Sequence, residues 1–180
     1  MVDRHKVFIS YHHDLDQSYK DRFTKQFGHV LVDWSVRIGD IADGLATETI
    51  RQKVRDEWLR ESTVTVVLIG RDTWQRKHVD WEIGSTLRNT QFNPRSGLLG
   101  ILLPTNVRQP GVYDPGTVPP RLADNLAGAD AFAKLYAWSE DASAVQGWIH
   151  DAYLRRDRAP WPNNGRESFA RNRTGSRWTD

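Results

Sequence analysis

Three short segments hold the side chains that chemistry would need. Ser10-Tyr11-His12-His13-Asp14 brings a hydroxyl, a phenol, two imidazoles and a carboxylate together. Asp33-Trp34-Ser35 offers a carboxylate beside an indole. The run from Trp74 to Glu82, WQRKHVDWE, is the richest. A helix starting near Lys77 would set His78 and Glu82 four positions apart, on one face, one turn inside its amino end. A carboxylate among rings in a cleft suits sugar hydroxyls; on a surface it would simply pair with Arg. Tyr11, Trp34 and Trp74 could stack on a planar ligand or fill the core.

Other uses of these groups are weaker. His12 and His13 with Asp14 could bind a metal, but neighbours on an extended segment point to opposite sides, so no metal site is expected. The plainer reading is a polar turn that caps the next helix through Asp14 or Asp16. Asp33 could accept a phosphoryl group as in a receiver domain. Receivers place that Asp after the third strand and a Lys after the fifth. Here those strands end in Gly70-Arg71 and Trp138-Ser139. Asp33 can also just cap its loop. No G-x-G-x-x-G, no G-x-x-x-x-G-K-[ST] and no G-x-S-x-G is present, which argues against a resident dinucleotide, a Walker-type ATPase and a serine-hydrolase elbow. A nucleotide would then enter as substrate or signal.

The elements that must position these residues alternate. Strands are predicted at Lys6–Tyr11, His29–Asp33, Val64–Ile69, Leu98–Leu103 and Phe132–Trp138. Helices are predicted over 16–27 (Tyr19, Phe23 and Phe27 on one face), 45–61 (Leu45, Ile50, Val54 and Trp58 inward), 77–90 and 140–156 (Val145, Trp148, Ile149 and Ala152 inward), with a short turn over 121–127. VTVVLI, the most continuous apolar run, reads as a central strand buried on both faces. Such alternation implies right-handed βαβ units and an α/β fold. The expected fold is a flavodoxin-like three-layer sandwich, its five-stranded, mainly parallel sheet in order 2-1-3-4-5. Ligands bind such sheets where the chain reverses direction, beside the carboxyl ends of strands one and three. That rule points to the loops after Tyr11, Asp33 and Ile69.

Composition sets the limits. With 180 residues and no cysteine, one domain with one core is expected, without disulfides, zinc–thiolate sites or thiol nucleophiles. No apolar run nears the roughly 20 residues that span a bilayer. The start shows no signal-peptide pattern, so a cytoplasmic location without membrane contact is expected. The net charge of +2 is uneven: residues 155–180 carry seven Arg against Asp157, Glu167 and Asp180, so the body is slightly acidic. No nucleic-acid partner is expected of such a body. The Arg-rich tail over 158–180 reads as a solvated, extended or partly disordered segment.

The residues Val7-Phe8-Ile9-Ser10-Tyr11 resemble the first box of TIR domains, and Asp80-Trp81-Glu82 resembles the place where enzymatic TIR domains carry their glutamate. IRQKVRDEWLRESTVTVVLIG, RKHVDWEIGSTLR, NPRSGLLGILLP and PPRLADN are similar to a bacterial TIR-like family that includes the TIR-like protein of the Thoeris anti-phage system. The resemblance implies a TIR-like domain over 1–157 followed by the 158–180 tail. It implies Glu82 as the catalytic residue, with Phe8, Ser10 and Tyr11 at the floor of the nucleotide site; Asp33, Trp34, Trp74 and His78, read from their place at the same cleft, complete the expected substrate-binding set. It implies NAD⁺ as substrate rather than cofactor, cleaved at the nicotinamide bond to a cyclic or linear ADP-ribose. It also implies self-association through the BB loop, residues 34–44, and a separate effector reached through the small-molecule product. A non-catalytic interaction module is the alternative. His12-His13 departs from the polar pair of many TIR domains, and the Pro-rich loop 104–120 extends beyond the minimal domain.

Overall fold

The computed structural model of the protein describes residues 4–33, 59–91, 93–106, 109 and 111–179. Trp34, the loop over 34–44 and the expected helix as far as residue 58 lie outside the described residues. Five strands, β1 (His5–Ser10), β2 (Leu31–Asp33), β3 (Val64–Ile69), β4 (Gly97–Leu102) and β5 (Ala133–Ala137), form one sheet. Its order is β2-β1-β3-β4-β5 and every pairing is parallel. This is the flavodoxin-like α/β arrangement expected from the alternation of elements.

Helices cover both faces because the strands are apolar on both. On one side α1 (His13–Phe27) and α4 (Ala142–Arg155) bring Phe23, Phe27, Val145, Ile149 and Ala152 onto Val7, Ile9, Val66, Leu99 and Ile101. On the other, α2 (Lys77–Thr86) and the single turn α3 (Pro120–Ala123) bring Val79, Ile83 and Leu122 onto Val67, Ile69, Leu98 and Leu102. Burying one such side chain stabilises the fold by roughly 1.5–3 kcal/mol relative to leaving it exposed. Close approach of helix and sheet is paid for in one place by glycine: a Cβ on Gly97 would fall on the Ala152 backbone carbonyl.

Element ends shift from the sequence reading for local reasons. The helix expected from residue 16 starts at His13, because the His12 imidazole accepts the Leu15 N–H at 3.4 Å and closes the amino end. His12, rather than Asp14 or Asp16, is therefore the capping side chain. Asp16 is instead buried against the end of β3, bonded by the hydroxyls of Thr73 at 3.2 Å and Thr105 at 3.5 Å. The helix expected to reach residue 90 ends at Thr86.

The tail departs most. It has no regular element and most of its residues are exposed, yet it is bonded to the body at several points. The Trp81 indole donates to the Phe169 carbonyl at 2.8 Å, and the Phe169 N–H donates to the Asp80 carboxylate at 3.0 Å. Further along, the Arg173 N–H donates to Gln75 and the Trp178 N–H to Gly116, at 2.7 and 3.0 Å. No helix among the described residues is long and apolar enough to cross a membrane.

Candidate active site

The order reversal of the sheet lies between β1 and β3, and α2 crosses above both strands. Alternation along β1 turns Phe8 and Ser10 to the α2 side and Val7 and Ile9 to the α1 side. A short 3₁₀ turn, Thr73–Gln75, links β3 to α2; the Thr73 hydroxyl accepts the Gly70 N–H at 2.9 Å and fixes its start.

Along α2, positions i, i+4 and i+8 form a polar stripe facing the sheet. His78 Nε2 lies 3.1 Å from the Tyr11 carbonyl, Ser10 Oγ donates to Glu82 Oε2 at 2.5 Å, and the Thr86 and Thr65 hydroxyls meet at 2.8 Å. Since a carbonyl can only accept, His78 carries its proton on Nε2. The Thr86 hydroxyl also donates to the Glu82 carbonyl at 2.8 Å. Three polar bonds thus set the rotation and register of α2 over β1 and β3, while Val79 and Ile83 on the next face supply the apolar contact.

Glu82 is the outlying group electrostatically. It is 4% exposed, and Ser10 is its hydrogen-bond partner among the described residues. No Arg or Lys among them pairs with it. Burial raises its pKa from 4.5 to about 8, against the opposing pull of the Ser10 hydroxyl. His78 shifts the other way, to about 4, through burial first and then the neighbouring His13. The His13 ring bridges Tyr11 and His78, with centroids 4.5 and 4.6 Å away. Burial also holds the His12 and His13 imidazoles below the usual histidine range. At neutral pH these rings are uncharged, and the Glu82 carboxyl mostly keeps its proton.

The other sequence-singled residues fall as follows. Phe8 is fully buried beneath the α2 side of β1. The Tyr11 ring packs in the α1-side core and its hydroxyl donates to Gln17 at 2.6 Å, with its pKa pushed up to about 12 by burial and then Asp21. Only its backbone carbonyl and ring edge meet the histidines. Asp33 pairs with Lys20 at 2.8 Å. Trp74 is buried in the 3₁₀ turn and lines a cleft with the tail; Glu82 is not among the residues lining that cleft. Trp34 lies outside the described residues. The structure therefore joins Ser10 to Glu82 and brings the Tyr11, His13 and His78 rings together on the same end of the sheet, and turns Asp33 and Trp74 to other partners. Among the described residues no group of three or more His, Cys, Asp or Glu is placed to hold a metal ion.

Sequence reasoning missed the roles of Thr65 and Thr86; the i+4 spacing of Thr86 from Glu82 was the available signal. It also missed Asp80, which forms a buried two-bond ion pair with Arg121 at 2.8 and 3.2 Å.

The sequence pattern of the family described as "Thoeris protein ThsB, TIR-like domain" matches residues 8–108, a stretch that runs from within β1 through β4 and includes every group of the α2 stripe. A search of curated proteins finds no match.

Proposed function

From the premise that the chain belongs to the family of the TIR-like domain of Thoeris protein ThsB, we propose that it cleaves NAD⁺ at the nicotinamide N-glycosidic bond and releases an ADP-ribose product as a signal. The observation that carries this reading is the Glu82 carboxyl: buried, unpaired with any cation among the described residues, and held at the carboxyl end of β1 by one hydroxyl.

The leaving nitrogen of NAD⁺ is already cationic, so nicotinamide departs with the bonding pair and needs no proton. Positive charge develops on the ribose carbon and ring oxygen. An ionised carboxylate at the ribose stabilises that oxocarbenium-like state, by the logic of glycoside hydrolysis. Glu82 keeps its proton in the free protein at neutral pH. The pyridinium of bound NAD⁺ lowers its pKa, so the carboxylate forms where it is needed. The Ser10 hydroxyl donates to it and favours that ionised form. Neutral His13 and His78 supply flat, uncharged walls that do not compete with the ribose for the carboxylate. Water then attacks the sugar carbon to give ADP-ribose. Where water is excluded, the adenine or a ribose oxygen of the same molecule attacks instead and gives a cyclic isomer. In this reading the protein is cytoplasmic and acts in anti-phage defence. It self-associates through residues 34–44 and reaches a separate effector through its product.

Incubating the protein with NAD⁺, with and without extract of phage-infected cells, and following nicotinamide tests the proposal. Glu82→Gln is expected to lower the rate by about 100- to 1000-fold. A rate unchanged by that substitution overturns it. The non-catalytic reading rests on the burial of Glu82 and its short bond to Ser10, which also suit a purely structural carboxyl; it gains if nicotinamide release is absent in both arms.

A further inference from the structure

A helix that covers a sheet normally turns one face to the strands and the other to solvent. Helix α2 does not. Every residue from Val79 to Gly84 is buried, a stretch longer than one helical turn. His78, Glu82 and Thr86 make the sheet-side bonds. Lys77, Asp80, Trp81 and Gly84 fall on the opposite side. That outer side is met by Arg121 of α3 and by the tail.

The tail meets it in order. As the chain advances from Asn164 to Gly175, its partners retreat from Gly84 to Gln75. The Asn164 side-chain amide donates to the Gly84 carbonyl at 2.9 Å. The Phe169 carbonyl accepts from the Trp81 indole at 2.8 Å, and the Phe169 N–H donates to the Asp80 carboxylate at 3.0 Å. Asn172 Oδ1 accepts the Lys77 N–H at 3.0 Å. The Gln75 carbonyl accepts the Arg173 N–H, and its side-chain amide donates to the Gly175 carbonyl, both at 2.7 Å. The tail thus runs antiparallel along the length of α2.

Two of these bonds complete the helix itself. A helix leaves its first four N–H groups and its last four carbonyls without internal partners. Arg76, at the amino boundary, makes no side-chain cap. Asn172, 95 positions further on, takes the Lys77 N–H instead. The Gly84 carbonyl is among the last four, and Asn164 satisfies it. Both ends of α2 are therefore finished by the tail, and its middle is held at Phe169.

Glu82 lies between the two capped ends and next to Trp81. It is 4% exposed, a condition that lasts only while α2 stays close on β1. We propose that the tail is a strap that positions the carboxyl of the reaction: Asn164, Phe169 and Asn172 clamp α2 onto the sheet and keep water from Glu82, so that loosening the strap hydrates the carboxyl and lets it ionise. The role in the reaction rests on the reading of Glu82 as the group at the ribose; the hold on its hydration does not. Whatever peels the tail from α2 then changes the pH at which the site works. The titratable neighbours of Glu82 among the described residues are Tyr11 at the end of β1 and His78 one turn back on α2, both uncharged at neutral pH. Arg121, from α3, is committed to Asp80.

The test titrates the Glu82 side-chain carboxyl of the full chain, labelled with ¹³C, by NMR; Glu82→Gln identifies its peak. The wild-type midpoint is expected near pH 8. In Asn164→Ala/Asn172→Ala it is expected to fall. In the triple variant that adds Trp81→Phe it is expected to fall by at least about one unit, a tenfold change in proton affinity. Thr174→Ala, an exposed tail substitution that removes none of these bonds, is expected to leave it in place. The climb of kcat/KM for nicotinamide release is expected to move to lower pH with the carboxyl. A midpoint unchanged in the triple variant overturns the proposal, as does a fall no larger than that of Trp81→Phe alone. The amide spectra report folding. Should the triple variant not fold, the double variant decides, since it alters no residue of α2 or the sheet: a midpoint unchanged there overturns the proposal too. A carboxyl that titrates lower while none of the proteins releases nicotinamide upholds the strap and overturns the NAD⁺ reading instead.

Discussion

The Ser10 hydroxyl and the Glu82 carboxylate meet at 2.5 Å between the last residue of β1 and the middle of α2, and neither side chain has a cation beside it among the described residues. A carboxyl so placed costs the fold something whenever it ionises. Its folded pKa, about 8, lies above its value of 4.5 in water. The folded state therefore holds the proton more tightly. The stability tied to that proton is complete below about pH 4.5 and is lost as pH rises toward 8.

Glu82→Gln keeps the shape and an oxygen for Ser10 but cannot ionise. Its melting temperature is expected to match the wild type near pH 5. The variant is expected to be more stable at pH 9, by on the order of a few kcal/mol. Thermal denaturation across that range measures it. Equal pH profiles for the two proteins would show that the carboxyl is not desolvated. A gain in stability joined to a loss of nicotinamide release is the pattern of a site that trades stability for activity.

Ser10→Ala removes the one hydrogen bond that favours the ionised carboxylate. The Glu82 pKa is expected to rise further above 8, readable by ¹³C NMR of the side-chain carboxyl. If nicotinamide release needs the carboxylate, kcat/KM climbs with pH through the free-protein pKa, and in Ser10→Ala the climb moves to higher pH. The expected loss of stability is about 1–3 kcal/mol, the usual cost of leaving a buried partner unsatisfied. A carboxyl pKa unchanged in this variant would remove Ser10 from the proposed machinery.

Much of this arrangement was legible before the fold was known. The sheet order followed from apolar runs alternating with amphipathic ones; β3 appeared at its full length because VTVVLI is apolar at every position but Thr65 and buried at every position. The pair His78 and Glu82 was legible because helical spacing alone puts them on one face. The direction of the Tyr11 ring was not. It follows strand one, and whether its ring would fall toward α1 or α2 depended on where the strand ended. The attachment of the tail was not legible: Arg, Asn, Gly and Pro predict a solvated, extended chain, which it largely is, but Phe169 is pinned by bonds to the Trp81 and Asp80 side chains, 88 and 89 positions away. Nothing periodic in a sequence announces such contacts.

His78 governs the acid side. Its folded pKa, about 4, lies below the ordinary 6.5 through burial first and His13 second. The folded state prefers the neutral ring, so the stability tied to it is full above about pH 6.5 and is lost as pH falls toward 4. Between about pH 4.5 and 6.5 this slope opposes that of Glu82. The wild type should therefore show a flat stability maximum there and decline on both sides. His78→Gln, which keeps a donor for the Tyr11 carbonyl, is expected to lose the dependence between pH 6.5 and 4 that His78 supplies. Urea denaturation at closely spaced pH values reads this directly; an unchanged acid limb in the variant would assign that limb to other groups.

The Asp80–Arg121 pair tests how the tail is held. Both side chains are 2% exposed and joined by two bonds; Arg121 also reaches Asn164, and Asp80 also holds the Phe169 N–H. Asp80→Asn leaves the guanidinium buried with much less compensation, a change that typically costs about 3–5 kcal/mol. The same substitution weakens one of the two bonds that pin Phe169. Global stability in urea should therefore fall, and trypsin should cut after Arg171 or Arg173 sooner than in the wild type. Trp81→Phe separates the two effects, since it removes the indole bond to the Phe169 carbonyl and leaves the ion pair in place. It is expected to speed tail cleavage while costing only about 1 kcal/mol of global stability. Equal cleavage in all three proteins would show that residues 169–173 are held by their other contacts, and that the ion pair serves α2 and α3 alone.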